Sequence, residues 1–457
     1  MIVKIKTIFN ETLSGSRKGI EDVIVSMIPQ TVSVVTGFAT SVLIARGLGP
    51  KGMGSYALIL SISGLTAALS DLGVGQTAIR FASQAAEQKD TTRQLAILRW
   101  AFRLRMLLVS LTSVIAFACA PVVANRFWHE GHLTSLVRLS LLAGIFTALA
   151  AIPTIYYQSL KRFKMNAAVS VGQTLVSLIG IVIISLLNKW SLELIIAVSI
   201  VAAGLGAFTF MFIVPKASFV ALSDLPLSWA EFVKKLWYAP SSDQSSSLSL
   251  DTTGASTFAF FMLISSITVT ITMRADVWLM GCYLDKSQIG LYSVASRFTL
   301  PLIIVLGALN TALWPRASLL NSAQGTTDLF KKTFRLSLIT AALGTLYALT
   351  VPLLTPIIFG DIYISSILLA QLLCIRYCLA IMICPLGVIG YSFGMVRLYW
   401  WINIVQLITV VVVNIFLLPR LGSIGSAIAL IINEIINIVI VGFIIRRKIS
   451  TIEFSNT

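Results

Sequence analysis

Uncharged apolar windows of about 18 to 25 residues recur along the whole chain, and they constrain its fold more than any other feature. Each window is long enough to cross about 30 Å of hydrocarbon as an α-helix. Period-two alternation over about ten residues is not found in the sequence, which argues against a transmembrane barrel. We predict twelve transmembrane helices, at 23–45, 55–79, 104–124, 135–157, 167–187, 193–214, 257–280, 290–314, 336–358, 365–391, 399–418 and 424–445.

The composition agrees with a membrane-embedded chain. Of 457 residues, 57% are hydrophobic and only 11% are charged, and the mean hydropathy is +0.91. Soluble domains carry about 25% charged residues. The opening "MIVKIKTIFNETLSGSRKGIED" is polar and basic, so we expect no cleavable signal before the first span.

The net charge of +16 is distributed unevenly between the two sides of the predicted topology. Connections on the side of the N-terminus hold 24 of the 34 Lys and Arg residues, those on the other side hold six, and four lie inside spans. This bias follows the positive-inside rule and predicts that both termini are cytoplasmic. We therefore expect the basic residues to contact anionic lipids, and we expect no nucleic-acid partner.

Residue patterns for metal binding or covalent catalysis are weak. Cys374 and Cys378 share a helix face, but the histidines, His129 and His132, lie in a predicted outer loop. Phosphate-loop, GxSxG and HExxH motifs are not found in the sequence. We expect no metal, no cofactor and no enzymatic activity.

A weak internal repeat divides the chain into two halves. With an offset of 236, Gly54 aligns with Gly290 and Tyr56 with Tyr292, after the first and seventh spans. Six spans return the chain to its starting side, so the halves are expected to be parallel six-helix bundles related by an axis along the membrane normal. Two such bundles facing each other are typical of a transporter.

The predicted domains follow from this division. The segment between the halves contains "LSWAEFVKKLWYAP", which predicts an interfacial helix, followed by a Ser-rich stretch. The domains are a cytoplasmic N-terminal segment 1–22, an N-terminal bundle 23–214, a cytoplasmic linker 215–255, a C-terminal bundle 256–445 and a cytoplasmic tail 446–457.

Two stretches carry a resemblance to a known family. "RGLGPKGMGSYALILSISGLTAALSDLGVGQTAIRFAS" (46–83) and "RADVWLMGCYLDKSQIGLYSVASRF" (274–298) resemble the corresponding segments of Wzx-type flippases. These proteins form the polysaccharide-export branch of the superfamily that also contains MATE multidrug exporters and the lipid II flippase. The chain departs from the family pattern after Pro240, where about fifteen Ser-rich residues precede span seven, so the start of that span is open.

The resemblance implies a MATE-like fold in the bacterial inner membrane. It implies translocation of undecaprenyl-pyrophosphate-linked oligosaccharide units, of the O-antigen or capsule type, by alternating access. The implied partners are that lipid-linked glycan, a polysaccharide polymerase and a chain-length regulator. The coupling ion, H⁺ or Na⁺, is left open.

Charged side chains inside the predicted spans are the candidate functional residues, because a charge at mid-bilayer costs at least about 2.5–3.5 kcal/mol. Arg274 and Asp276 point to opposed sides of span seven, and depth counting predicts that Asp276 pairs with Arg297 of span eight. Arg274 is then free to bind an anion or to reach the outer headgroups as an anchor. Arg376 lies near the midplane, where a guanidinium suits either a phosphate or a structural ion pair.

Four further residues complete the candidate set. Glu434 lies at nearly the depth of Arg376, so the two are predicted to pair, as an ion-coupling switch or as a static ion pair. Arg46, at the outer end of span one, is a candidate substrate ligand or an anchor. Asp71 and Arg80, at the inner end of span two, are candidates for an end cap or a gate.

Two other functions are alternatives to the flippase. An ion-coupled MATE-like multidrug exporter would have the same architecture, but cationic drugs favour buried acids, and the spans contain more arginines than acids. A non-transporting scaffold of a polysaccharide assembly complex would not require duplicated bundles or midplane charges.

Overall fold

The computed structural model describes the backbone of residues 17–160, 163–213, 252–317, 323–392 and 396–455, and within these residues the regular structure is entirely helical. The N-terminal half contains α1 (Arg17–Leu69), α2 (Val74–Glu87), α3 (Thr91–Val122), a π-helical turn (Val123–Phe127), α4 (Leu133–Ser159), α5 (Phe163–Leu186) and α6 (Leu192–Ile213). The C-terminal half contains α7 (Thr252–Tyr283), α8 (Lys286–Arg297), α9 (Leu300–Ala317), α10 (Ala323–Phe359), a 3₁₀ turn (Asp361–Ser366), α11 (Ile367–Ser392), α12 (Val396–Leu421) and α13 (Ser423–Ser455).

The helices are consistent with twelve membrane crossings. Among the described residues, eight helices are long and apolar enough to span a membrane, or nine when the bent pair α8 and α9 is taken as one span. One of the eight, Thr31–Leu69, has 39 residues, nearly twice the length that a bilayer requires, and a break at Gly49 divides it into two. The division at Gly49 raises the number of crossings from nine to ten, and the apolar helices α6 and α7 raise it to twelve. The protein is an all-α integral membrane protein of two six-helix bundles.

Several predicted spans are broken rather than straight. At Gly49 the backbone has φ 67° and ψ 180°, and Pro50 follows as the first residue of the next helical segment. Predicted span two does not continue to residue 79, because Leu72 and Gly73 have positive φ values and a separate helix begins at Val74. Predicted span eight bends by 47° between α8 and α9.

The two halves meet at a reciprocal contact between glycines. A Cβ atom on Gly54 would overlap the carbonyl oxygen of Lys286, and a Cβ atom on Gly290 would overlap the carbonyl oxygen of Pro50. Gly54 and Gly290 are 236 positions apart, and so are Pro50 and Lys286. This distance is the offset of the sequence repeat. Such exchange of partners is the mark of two-fold symmetry, so the pseudo-two-fold axis passes between Gly54 and Gly290.

Aromatic packing extends this contact. The Phe359 ring packs against the rings of Phe38, Phe298 and Tyr363, with ring centroids 5.6–6.1 Å apart. The Tyr363 hydroxyl donates a hydrogen bond of 2.8 Å to the carbonyl oxygen of Ala45, across the boundary between the halves. By the charge bias of the sequence, this end of the molecule is its outer side.

The segment 215–251, which forms most of the predicted linker, lies outside the described residues; α7 begins at Thr252, four residues before the predicted bundle. The charge bias predicts that this segment and both termini are cytoplasmic. Reporter domains fused at Ser246 and after Thr457 are expected to be active only in the cytoplasm. A periplasmic signal at either position would contradict the arrangement of two parallel halves.

Candidate functional site

The structure brings Arg376 of α11 and Glu434 of α13 together. Arg376 Nε lies 3.5 Å from Glu434 Oε2, and the Glu434 side chain is only 8% exposed. The geometry is that of an ion pair without a well-formed hydrogen bond, because Arg376 Nε has no hydrogen-bond partner. Asn437 Nδ2 donates to the other carboxylate oxygen at 3.4 Å. The contact thus leaves Nε without a hydrogen bond, while the guanidinium carbon lies 4.5 Å from the centroid of the Tyr377 ring.

Asp276 is bound by a tyrosine and not by the predicted arginine. The hydroxyl of Tyr292 on α8 donates to Asp276 Oδ2 at 2.5 Å, and no ion pair joins Asp276 to Arg297 within the described residues. The prediction of an Asp276–Arg297 pair is therefore wrong. Depth counting assumed a straight span eight, whereas α8 ends at Arg297 and the chain then bends.

Arg274 and Arg297 instead lie at the boundary with the N-terminal half, close enough for their like charges to interact. Arg274 Nη2 would be 3.1 Å from a Cβ atom on Gly64 of α1, so the glycine makes room for this guanidinium. Arg297 faces Tyr56 of α1, and its buried Nε has no hydrogen-bond partner in the structure. We call Arg274 and Arg297 the arginine pair.

The remaining polar groups form a second cluster within the C-terminal half. Arg376 interacts electrostatically with Asp276 and Tyr292 as well as with Glu434. We call Asp276, Tyr292, Arg376 and Glu434 the C-bundle cluster, because all four belong to the C-terminal half. Together with the arginine pair it contains three arginines and two acids, and therefore one excess positive charge among these described residues.

Arg46 has a structural partner on the outer side. Its Nε and Nη2 donate to the carbonyl oxygens of Ile358 and Ile357 at 2.8 and 2.6 Å. These are among the last carbonyls of α10, which lack partners within their own helix, and a cation at a helix C-terminus is also favoured by the helix dipole. Arg46 thus caps a helix of the opposite half, and its two bonded nitrogens are not directed at the arginine pair.

Asp71 lies in the break between α1 and α2. Its Oδ1 accepts the Gly75 N–H at 3.0 Å and pairs with Arg105 of α3, whose side chain is 6% exposed. The carboxylate therefore caps the start of α2 and anchors it to α3. The side chain of Arg80, the other candidate of this inner group, lies outside the described part of the chain.

Sequence reasoning missed Tyr292, Tyr56 and Arg105 as partners of these charges. A tyrosine carries no charge at neutral pH, so counting charges by depth does not select it. A signal was nevertheless present, because Tyr56 and Tyr292 are matched residues of the repeat. The structure places them in equivalent settings: Tyr56 lies against Ser199 of α6, and Tyr292 lies near Ser426 of α13, the last span of each half.

An apolar cavity of about 400 Å³ lies between α1, α3, the π-helical turn and α7. Trp278 contributes to its wall and donates from Nε1 to Ser61 Oγ at 2.9 Å, which joins the halves one helical turn from Arg274. Its volume is within the range of small-molecule pockets. A cluster of three or more His, Cys, Asp or Glu side chains suited to a metal ion is not found within the described residues.

The fold and this internal polar site define a class, an integral membrane protein with the fold of the MATE-type transporters. The chain belongs to the polysaccharide biosynthesis protein family, whose model matches residues 20–321. No curated protein matches the sequence.

Solved structures share the fold at low identity. The chain is similar to a multidrug resistance MATE family transporter of the MOP superfamily in an inward-facing conformation, with a TM-score of 0.67 and 15% identity over 95% of this chain and 99% of that one. It is equally similar to the lipid II flippase MurJ in an inward closed conformation, with a TM-score of 0.67 and 15% identity over 93% and 87% of the two chains. A eukaryotic MATE transporter matches with a TM-score of 0.58 and 13% identity, over 93% and 96%.

Proposed function

We propose that the protein is a flippase that moves undecaprenyl-pyrophosphate-linked oligosaccharide units across the bacterial inner membrane by alternating access. The observation that carries this proposal is the arginine pair. The exposed Arg274 lies over Gly64 of α1, Arg297 faces Tyr56 of the same helix, and the buried Nε of Arg297 has no hydrogen-bond partner, so two positive charges of the C-terminal half lie along one helix of the N-terminal half. A pyrophosphate group would neutralise both charges and accept the hydrogen bonds that they offer.

Three further features support a lipid-linked anionic substrate. Family membership links the chain to polysaccharide biosynthesis. The excess positive charge favours an anionic headgroup over a cation. The apolar cavity beside Trp278 offers a water-poor surface for part of a prenyl chain, while the headgroup lies near Arg274 on the same helix.

The C-bundle cluster would then act as the resetting element. When the site is empty, Arg376 is neutralised by Glu434. A pyrophosphate competes for Arg376, and the released carboxylate can take up H⁺ or Na⁺. In this scheme substrate binding and ion binding are linked through one guanidinium.

A multidrug exporter is the alternative, because the fold is shared with MATE transporters and Asp276 provides a buried carboxylate. A cationic drug at Asp276 would be repelled by Arg274 and Arg376, both of which act on that carboxylate electrostatically. The charge balance therefore favours an anionic substrate.

Complementation tests the proposal directly. In a strain that lacks its own polysaccharide-unit flippase, lipid-linked units accumulate on the inner leaflet, and expression of this chain is expected to move one such glycan to the outer leaflet. Leaflet-specific lectin labelling with mass spectrometry identifies the glycan. Export of cationic dyes without any change in lipid-linked glycans would support the multidrug exporter instead.

A further inference from the structure

The loop between α3 and α4 belongs to the N-terminal half and contacts the C-terminal half on the outer side. Its Glu130 forms an ion pair through Oε1 with Nζ of Lys286, in the first turn of α8, and the two side chains are 20% and 12% exposed. The other carboxylate oxygen, Oε2, lies 2.8 Å from Nδ1 of His132 in the same loop. Both oxygens of Glu130 are therefore engaged, one of them by the opposite half.

The loop is held in this position by its own backbone and by one aromatic side chain. The Glu130 N–H donates to the carbonyl oxygen of Ala124 at 2.7 Å, and the Trp128 N–H donates to that of Val123 at 3.0 Å. The Trp128 indole is 4% exposed and lies over Gly281 of α7, where a Cβ atom would overlap it. We call residues 123–132 the outer strap.

Other contacts between the halves lie at the same end of the molecule. These are the Gly54–Gly290 crossing, the Arg46 cap on α10 and the hydrogen bond from Tyr363 to Ala45. Together with the strap they close the outer side, while the arginine pair lies deeper between the halves. A substrate at the arginine pair cannot leave outward unless these contacts separate.

We propose that the outer strap is the outer gate of the transporter and that the Glu130–Lys286 ion pair is its latch. Glu130 is suited to a latch because it is only partly buried, so water can solvate both charges when the pair opens. Lys51 of α1 is exposed and close enough to Lys286 for their charges to interact, so the outer mouth holds two lysines that the carboxylate offsets. Removing the Glu130 charge weakens the closed state and leaves the lysines to repel each other.

Thiol labelling from outside tests the latch without reference to any substrate. Ser61 is 1% exposed beneath Trp278, so the reporter Ser61→Cys, in a protein with Cys119→Ser and Cys282→Ser, is reachable from outside only when the outer side opens. A membrane-impermeant maleimide is added to right-side-out vesicles. Glu130→Gln is expected to raise the labelling rate about two- to fivefold, the range for loss of a partly exposed ion pair.

Two comparisons make the labelling result specific. Exchanging the charges, Glu130→Lys with Lys286→Glu, is expected to return the rate to that of the parent protein. The matched control Glu193→Gln removes an exposed acid in the first turn of α6 and is expected to change nothing. An unchanged rate in both Glu130→Gln and Lys286→Gln would overturn the proposal.

Cross-linking tests whether the latch must open for transport, and this arm rests on the proposed function. Glu130→Cys with Lys286→Cys, bridged by a short bis-methanethiosulfonate, is expected to stop glycan export until a reductant is added. The control Gln94→Cys with Ser159→Cys bridges α3 and α4 within one half, where the native side chains are 3.3 Å apart, and is expected to leave export intact. Export at the uncrosslinked rate in the bridged latch variant would overturn the proposal. Failure of the parent protein to export any glycan would contradict the proposed function and leave the labelling result valid.

Discussion

Arg376→Ala is expected to reduce glycan export about ten- to hundredfold, because each charge-assisted hydrogen bond to the headgroup contributes about 1.5–3 kcal/mol. Arg376→Lys is expected to recover only part of the activity, since an ammonium cannot form the two parallel bonds of a guanidinium. The measurement is the amount of lipid-linked glycan on the outer leaflet, normalised to the protein level in the membrane.

The variant Arg376→Ala also leaves Glu434 buried without its partner, which by itself destabilises a protein. The double variant Arg376→Ala with Glu434→Gln separates the two effects, because it removes both charges of the pair. The readout is binding of a polyprenyl-pyrophosphate lipid, which Glu434→Gln alone is expected to keep. If Arg376 binds the substrate, binding stays weak in the double variant. Recovery of binding would mean that Arg376 serves only to neutralise Glu434.

Arg138→Ala is the matched control for this experiment. Arg138 is also an arginine within a span, but it stacks on the Phe117 ring at 4.4 Å and bonds the Phe117 carbonyl oxygen at 3.4 Å. It lies in the N-terminal half, in α4, and belongs to neither polar cluster. Export is expected to stay within about twofold of the parent, as for the loss of a surface contact.

Glu434→Gln is expected to abolish the dependence of transport on an ion gradient while the substrate still binds. The amide keeps the shape of the side chain and its contact with Asn437, but it cannot take up a proton and is a weaker ligand for Na⁺. With its neutralising acid removed, Arg376 is expected to hold an anionic headgroup as tightly as before or more tightly. Substrate binding is therefore expected to be kept or strengthened while ion-coupled transport is lost.

The measurement is export in vesicles with imposed pH or Na⁺ gradients, together with binding of a polyprenyl-pyrophosphate lipid to the purified protein. Normal transport with unchanged pH and Na⁺ dependence would show that Glu434 is part of a static ion pair. Glu193→Gln, at an exposed acid of the outer side, controls for a general loss of negative charge.

The all-helical membrane fold with two bundles could be predicted from the sequence because bilayer thickness fixes the length of apolar segments. Counting residues also put Arg376 and Glu434 at one depth, and the structure places them 3.5 Å apart. Their role in transport stays a prediction. The same counting assigned Asp276 the wrong partner, because it treats every span as straight and the chain bends beyond Arg297.

The breaks themselves were harder to predict than the spans. Gly49 before Pro50 is a recognisable signal, whereas the break at Leu72 and Gly73 lies within an apolar stretch that hydropathy treats as continuous. The partners of the charges depend on how helices from distant parts of the chain pack. Arg46 caps α10 more than 300 positions away, and no local pattern in the sequence predicts that contact.

The glycine crossing restricts how far the two halves can diverge after duplication. At most positions one copy of a repeat can change while the other is kept, because their neighbours differ. Gly54 and Gly290 do not have that freedom, since each contacts the backbone of the opposite copy at the axis. A side chain added to either glycine separates both helices, so a single substitution acts on the two copies at once.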